Sequence, residues 1–278
     1  MLTEAVVAHP DPRLRQWVDS YLGYREDVSV PLARREVAGA FVVLILGWGA
    51  PMDVADPRDR ARGAYGTNAF LAGPFDSWCA TRTVGTGTGV QVMLTAPAAR
   101  RLLGLPLAEL ANRAAPVDAV AGWLARLRDE LAAAPGWPER FARLDAALSA
   151  RLAATTPVDP HLLAAWRRLD GGGEAVGVAT LAEELGWSRR HLSVRFRREF
   201  GLPPRTVARL LRFDRAYASL GRTVLTAPSA VPDDTGWAER AARWGYYDQS
   251  HLIREFREFA GVTPAALAGP GSHSSNPA

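Results

Sequence analysis

Leu181–Gly201 reads LAEELGWSRRHLSVRFRREFG, and Gly245–Pro264 reads GYYDQSHLIREFREFAGVTP. The two stretches are one pattern written twice. With His191 and Leu192 set over His251 and Leu252, Phe196 meets Phe256, Arg197 meets Arg257, Gly201 meets Gly261 and Pro204 meets Pro264, all at an offset of 60. Upstream, Ala182 and Gly186 match Ala241 and Gly245 at an offset of 59, so one residue is gained in the turn. Each copy reads as a short helix, a turn opening at Gly, and a second helix with an Arg-rich outer face. That is the plan of a helix-turn-helix. Two copies suggest two reading heads for one duplex.

In the first copy, Thr180 is expected to cap a helix running to Leu185, with Glu183 closing a capping box. Gly186 makes the turn and Ser188 caps the second helix. Leu192 and Phe196 are four apart and share the buried face. Arg190, Ser193, Val194 and Arg197 form a different stripe, the one available to a major groove. Arg190 suits a bidentate contact to guanine. Arg197 and Arg198 lie further along and suit phosphates, and Arg189 at the helix start is a further DNA-binding candidate. In the second copy the stripe is Ser250, Ile253, Arg254 and Arg257. Arg254 is the strongest base-reading candidate, Gln249 suits adenine edges and Ile253 a thymine methyl. His191 and His251 lie on different helices without other ligand types nearby, which favours a structural or DNA-backbone role over metal binding. Between the heads, Pro203 and Pro204 should start a helix to about Leu220. Val207, Leu210, Leu211 and Tyr217 supply its buried side, and Arg205, Arg209, Arg212 and Arg215 its solvent or phosphate side. A rigid helix there would set the heads into successive major grooves about 34 Å apart.

The chain has 278 residues, a net charge of +4, 48% apolar and 22% charged residues, and no lysine. Ten arginines fall between Arg189 and Arg222, against only Glu199 and Asp214. Such a stripe is the footprint of a polyanion binder. Cys79 is the sole cysteine, which excludes a disulfide framework and a cysteine-rich zinc site within one chain. It also argues against a cysteine-dependent methyl-transfer activity. No Ser-His-Asp order, HExxH or paired-carboxylate motif stands out, so no enzyme, cofactor or metal is expected. The N-terminus shows no signal-peptide pattern, and the longest apolar run, Ala40–Gly47, suits a buried strand rather than a membrane span. The expectation is a soluble cytoplasmic protein.

The first 170 residues read differently. Asp11-Pro12 opens an expected helix with Leu14, Trp17, Val18, Tyr21 and Leu22 on one face. From 32 to 95 the texture is β, with strands at Phe41–Leu46, Ala69–Ala72, Thr81–Val84 and around Val90–Thr95. Gly47–Pro51, Gly73-Pro74 and Gly85–Gly89 break them, the last as a hairpin turn. A small barrel or sandwich is implied, which could hold a ligand at its mouth, mediate dimerisation or only support the rest. From 97 to 170 the chain turns helical, with seams at Val120–Leu131, Phe141–Leu152 and Leu162–Leu169, after short helices at Pro97–Leu103 and Leu107–Arg113. The class is α+β, with a β-rich N-terminal domain over 1–170, a hinge at 171–173, an all-α double helix-turn-helix domain over 174–268 (units about 180–201 and 236–261) and a disordered tail over 269–278.

Leu181–Gly201 followed by Trp237–Pro264 resembles the DNA-binding domain of the AraC/XylS family of bacterial transcription regulators. The most specific part is Gly245–Pro264: Gly, aromatic, a polar turn, Gln-Ser, a buried apolar pair, then Phe and a closing Gly-x-x-Pro. The family usually has a small apolar residue where Trp237 stands and an aromatic where Leu252 stands. Pro97–Arg113 carries a weaker likeness to the N-terminal domain of some such regulators. The resemblance implies a σ-dependent promoter regulator with double-stranded DNA and RNA polymerase as partners. Its N-terminal part would sense a small-molecule effector or form a homodimer; no membrane partner is implied. The competing reading is an architectural DNA-binding protein without a ligand.

Overall fold

The computed structural model describes residues 2–171, 177–220 and 236–268. Gly172, Gly173, most of the connection between the heads and the tail from Gly269 lie outside them. The N-terminal sheet is built from β1 (Leu2–Ala8), β2 (Val18–Glu36), β3 (Val42–Gly49), β4 (Met52–Ala55), β5 (Ala64–Thr67), β6 (Ala69–Ala72), β7 (Cys79–Leu94) and β8 (Ala114–Pro116). All pairings are antiparallel, in the order β1-β2-β7-β3-β6-β8, with β4 and β5 branching from β7. The order has two ends among the described residues, so the sheet is not closed into a barrel. β7 is its spine. β2 covers one edge along nearly the whole length, while β3 takes Gly87–Leu94 and β4 takes Ala80–Thr83 on the other edge.

Two expectations fail here for physical reasons. Residues 11–17 form turns rather than a long helix, and Val18, Tyr21 and Leu22 belong to the strand β2. Asp11 does act as a cap, accepting from the Arg13 N–H at 2.8 Å, but the turn stops after Val18. The apolar spacing there is that of a strand buried on both faces, which periodicity alone does not separate from a helix. Tyr21 is fully buried and its hydroxyl donates to Asp145 Oδ1 at 2.9 Å. The second correction is Gly85–Gly89, which is strand, not hairpin turn. A Cβ on Gly89 would lie 2.6 Å from the Tyr24 hydroxyl and 2.9 Å from Gly47 Cα, so glycine is needed for close backbone approach. Only Gly85, at φ +92, bends the strand.

The helices follow as α1 (Ala96–Leu103), α2 (Val117–Val120), α3 (Gly122–Ala132), α4 (Trp137–Ala153) and α5 (Pro160–Asp170). Thr95 caps α1 and Gly104, in the left-handed region, ends it. Leu107–Glu109 forms only a 3-10 turn where a helix was expected. The apolar seams of α3, α4 and α5 pack on one face of the sheet, where Leu44, Leu46, Val90, Val92 and Leu94 are buried. Ile45, Phe70, Val54 and Cys79 belong to the opposite face, under β4 and β5. Cys79 is buried, and burial pushes its thiol pKa far up, which leaves it unreactive in the folded chain.

The C-terminal part contributes α6 (Val178–Glu184), α7 (Arg189–Phe200), α8 (Pro204–Ser219), α9 (Trp237–Arg243), α10 (Gln249–Ala260) and α11 (Pro264–Ala268). Its apolar residues join those of the sheet and α1–α5 in one continuous core. At that junction α8 carries Asp214, whose Oδ2 is shut from solvent without a hydrogen-bond partner. Burial raises its pKa to about 8; Arg215 opposes this, and the charges of Asp170 and Asp19 add to it. The unfolded carboxyl loses its proton near pH ~4, while the folded one keeps it up to about 8. Stability therefore falls as pH rises across that window and does not recover above it. Asp214→Asn should match the parent at pH ~4 and melt higher at pH ~9, by a few times the about 2–4 °C that 1 kcal/mol is worth in a large chain. Melting curves at both pH values check this, and equal melting temperatures at the higher one would refute it.

Candidate nucleic-acid interface

Both heads form as the repeat demands. α6 and α9 each end at a glycine in the left-handed region, Gly186 at φ +66 and Gly245 at φ +75. After each glycine the chain bonds back the same way: Trp187 N–H to Ala182 and Tyr246 N–H to Ala241, both at 2.8 Å. Ser188 then caps α7 by accepting from His191 N–H, and Asp248 caps α10 by accepting from His251 N–H. One expected cap is not used. Gly177, not Thr180, begins α6, and Thr180 lies inside the helix.

The proposed reading stripe is exposed in both helices. Arg189, Arg190, Val194, Arg197 and Arg198 are exposed on α7, with Ser193 half-buried. Val194, an apolar side chain, is 61% exposed, so packing does not explain its place. On α10, Gln249, Ser250, Arg254 and Arg257 are exposed and Ile253 is half-buried. Ser250, Ile253, Arg254 and Arg257 line one shallow depression. Beneath the stripes, Leu192, Phe196, Leu252 and Phe256 are fully buried. The structure thus groups the eleven residues on two solvent faces and leaves each face on a rigid helix.

Other arginines of this part are differently placed. Arg195 pairs with Asp159 at 2.9 Å and stacks on Trp187. Arg209 and Arg212, expected on a phosphate-facing side of α8, instead hold Glu255 of α10, each at 2.7 Å. Arg209 also reaches Glu258 at 2.6 Å. Glu255 is 1% exposed, and His251 Nε2 lies 3.4 Å from it. A carboxylate so buried requires paired charge, and α8 is the element that supplies it. Glu255 lies on the buried face of α10 with Leu252, Phe256 and Phe259, and sequence reading passes over it because a charged residue reads as solvent-facing. Its cues are the i+3 spacing from Leu252, the i, i+4 spacing to Phe259 and the i, i+4 spacing from His251.

Both heads are also seated on the N-terminal part. Glu199 of α7 pairs with Arg100 of α1 at 2.5 Å, and Phe196 and Phe200 pack on the Trp166 ring. For the second head, Ala38 N–H donates to the Phe259 carbonyl at 2.8 Å, and Arg35 donates to that of Gly261 at 3.3 Å.

Residues 181–269 match the family described as a helix-turn-helix domain. This stretch is an AraC-type helix-turn-helix domain. The AraC-type domain makes the chain a DNA-binding transcription regulator. No curated protein matches the chain in sequence. Among solved structures, ToxT from Vibrio cholerae O395 is similar at 11% identity and a TM-score of 0.48, over 89% of this chain and 96% of that one. Unsaturated fatty acid bound ToxT from strain SCE256 gives 11%, 0.47, 89% and 94%. The AraC-like transcriptional activator CuxR gives 16%, 0.25, 77% and 87%. Likeness at this level assigns no ligand or partner. Among the described residues, no helix is long and apolar enough to cross a membrane, and no His, Cys, Asp and Glu cluster could hold a metal. In the N-terminal sheet, a cleft lined by Tyr24, Trp48, Met52 and Thr83 has a volume of about 20 Å³, room for one water.

The Glu255 clamp is open to a direct test. Removing one member of a buried ion network leaves its partners uncompensated and costs about 3–5 kcal/mol. Glu255→Ala should therefore destabilise the AraC-type domain by roughly that amount in urea denaturation. A loss under ~0.5 kcal/mol, the size of an ordinary surface substitution, would contradict the clamp.

Proposed function

We propose that this regulator recognises a specific duplex sequence through two unequal half-sites, with α7 reading one major groove and α10 the next. The observation that carries this is the sorting of arginines. Those facing away from the core on α7 and α10 (Arg189, Arg190, Arg197, Arg254 and Arg257) have no ion-pair partner among the described residues, whereas Arg195, Arg209 and Arg212 are locked to carboxylates. Free guanidinium groups on an exposed recognition helix suit phosphates and guanine edges. In this reading Arg190, Ser193, Val194, Gln249, Ser250, Ile253 and Arg254 face bases, and Arg189, Arg197, Arg198 and Arg257 face the sugar-phosphate chain. RNA polymerase and a second copy of the chain are the further partners that a promoter regulator of this type would use.

An effector or partner acting on the N-terminal part has a physical route, because that part touches both heads. A ligand there shifts reading only by favouring one arrangement of the heads over another.

Selection from a randomised duplex pool, followed by anisotropy at near-physiological salt, tests the reading. A preference of about 10³ or more over random DNA is expected for a specific regulator. Arg254→Ala should relax discrimination at one base position by about 1–3 kcal/mol. Arg198→Ala should weaken all sequences alike and lower the salt slope by about 1. Tight binding without preference would support the architectural alternative, and equal losses on every sequence for Arg254→Ala would remove its base-reading role.

A further inference from the structure

The two heads differ by one residue, and the structure identifies it. Before the turn the copies align at an offset of 59, pairing Trp187 with Tyr246 through their matching backbone bonds to Ala182 and Ala241. After the turn they align at 60, pairing the caps Ser188 and Asp248. The residue between is Tyr247, without counterpart in the first head. Trp187 is half-buried between His161, His191 and Arg195. Tyr246 is buried against Arg212 and His251. Tyr247 is 93% exposed, the most exposed of the large apolar side chains described.

Its backbone is held on every side. The preceding Tyr246 ring is packed, the following Asp248 caps α10, and the Tyr247 N–H donates to His251 Nδ1 at 3.4 Å. An aromatic side chain therefore stands in water on a fixed stem, next to the cap Asp248 and two residues ahead of Gln249. That is the end of a recognition helix that meets the duplex. A ring so placed loses nothing to internal packing, and its hydroxyl is a donor suited to a phosphate oxygen.

We propose that Tyr247 is a duplex-backbone contact of the second head: its hydroxyl donates to a phosphate flanking that half-site, and its ring lies against the adjoining sugar. This rests on the groove-reading function above. The contact anchors α10 without reading sequence. It displaces no counterion, because the phenol is neutral.

Tyr247→Phe and Tyr247→Ala, measured on the selected duplex with Arg254→Ala alongside, separate the possibilities. Tyr247→Ala should weaken binding about tenfold on selected and random duplexes alike, in keeping with a lost hydrogen bond to a charged group. Tyr247→Phe should lose most of that. Melting temperature and salt slope should not change, since the side chain is exposed and uncharged. Phosphate-ethylation interference should show one phosphate beside the second half-site that matters to the parent and no longer matters to Tyr247→Phe. If Arg254→Ala alters binding while both Tyr247 variants bind as the parent does, the Tyr247 contact is overturned and the reading function stands. An altered salt slope or an unchanged interference pattern would also overturn it. If the parent binds no duplex preferentially, the reading function fails, and the tyrosine contact fails with its selected half-site.

Discussion

Two glycines at equivalent places in the repeat, Gly201 and Gly261, have no room for a side chain. Each ends a recognition helix in a conformation with positive φ, at +88 and +72. A Cβ on Gly201 would lie 2.7 Å from Pro74 and 3.1 Å from the Leu107 carbonyl; on Gly261 it would lie 2.9 Å from Trp78 Nε1. Pro74, Leu107 and Trp78 all belong to the N-terminal part. The helix stop and the docking seat are thus one residue in each head. The conformation that only glycine adopts readily also brings the backbone against the neighbouring part. Replace either, and the helix end and the seat are disturbed together.

The electrostatics follow from that seating. A recognition helix held by its far end and its buried face leaves its outer face without partners. The carboxylates near it are used elsewhere: Glu199 by Arg100, Asp159 by Arg195, Glu255 by Arg209 and Arg212. Among the described residues Glu199, Asp159 and Glu255 are thus drawn to arginines of other elements, and of the stripe only Arg198 has a carboxylate within reach, Glu199 at 3.8 Å. The same pairs bind α7 to α1 and α5, and α10 to α8. Local charge balance and global geometry are set by one group of contacts.

The sequence carried the C-terminal part well, because the information there is local and doubled. Offsets of 59 and 60 placed an extra residue in the second turn, and the turn holds it as Tyr247. Ser188, Gly186 and the buried pairs Leu192/Phe196 and Leu252/Phe256 stand where their chemistry put them. The N-terminal part was less legible. Leu14 to Leu22 has a helical spacing, yet Tyr21 is needed against Asp145 and Gly23 lies beneath Trp137, where a Cβ would come within 2.5 Å. Both partners are more than a hundred residues away, and no local pattern contains them. Gly85–Gly89 is read as a turn for the same reason: three glycines alternating with threonines signal a turn unless a distant residue, here Tyr24 of another strand against Gly89, fills the space a glycine leaves. The arginines of α8 were legible as cations but not as clamps, since Glu255 lies over forty residues downstream.

The seats also decide how far the heads can act independently. α8 lies between them, packed on α5 and α7 and tied to the second through Glu255. The first is tied by Glu199 and the Trp166 stack to α1 and α5. A change in the sheet that displaced Arg35 or Trp78 would act on α10 by way of Gly261, and one that displaced Leu107 would act on α7 by way of Gly201. The seats lie at different places on the N-terminal part, so a displacement of one seat without the other would change the angle between the heads. If the heads meet two grooves at once, as proposed, binding is sensitive to that angle, because a small misalignment removes contacts along a whole helix face. Under that proposal, control of reading needs no direct contact between a ligand and either recognition helix. It needs only a ligand that distinguishes two spacings of the seats.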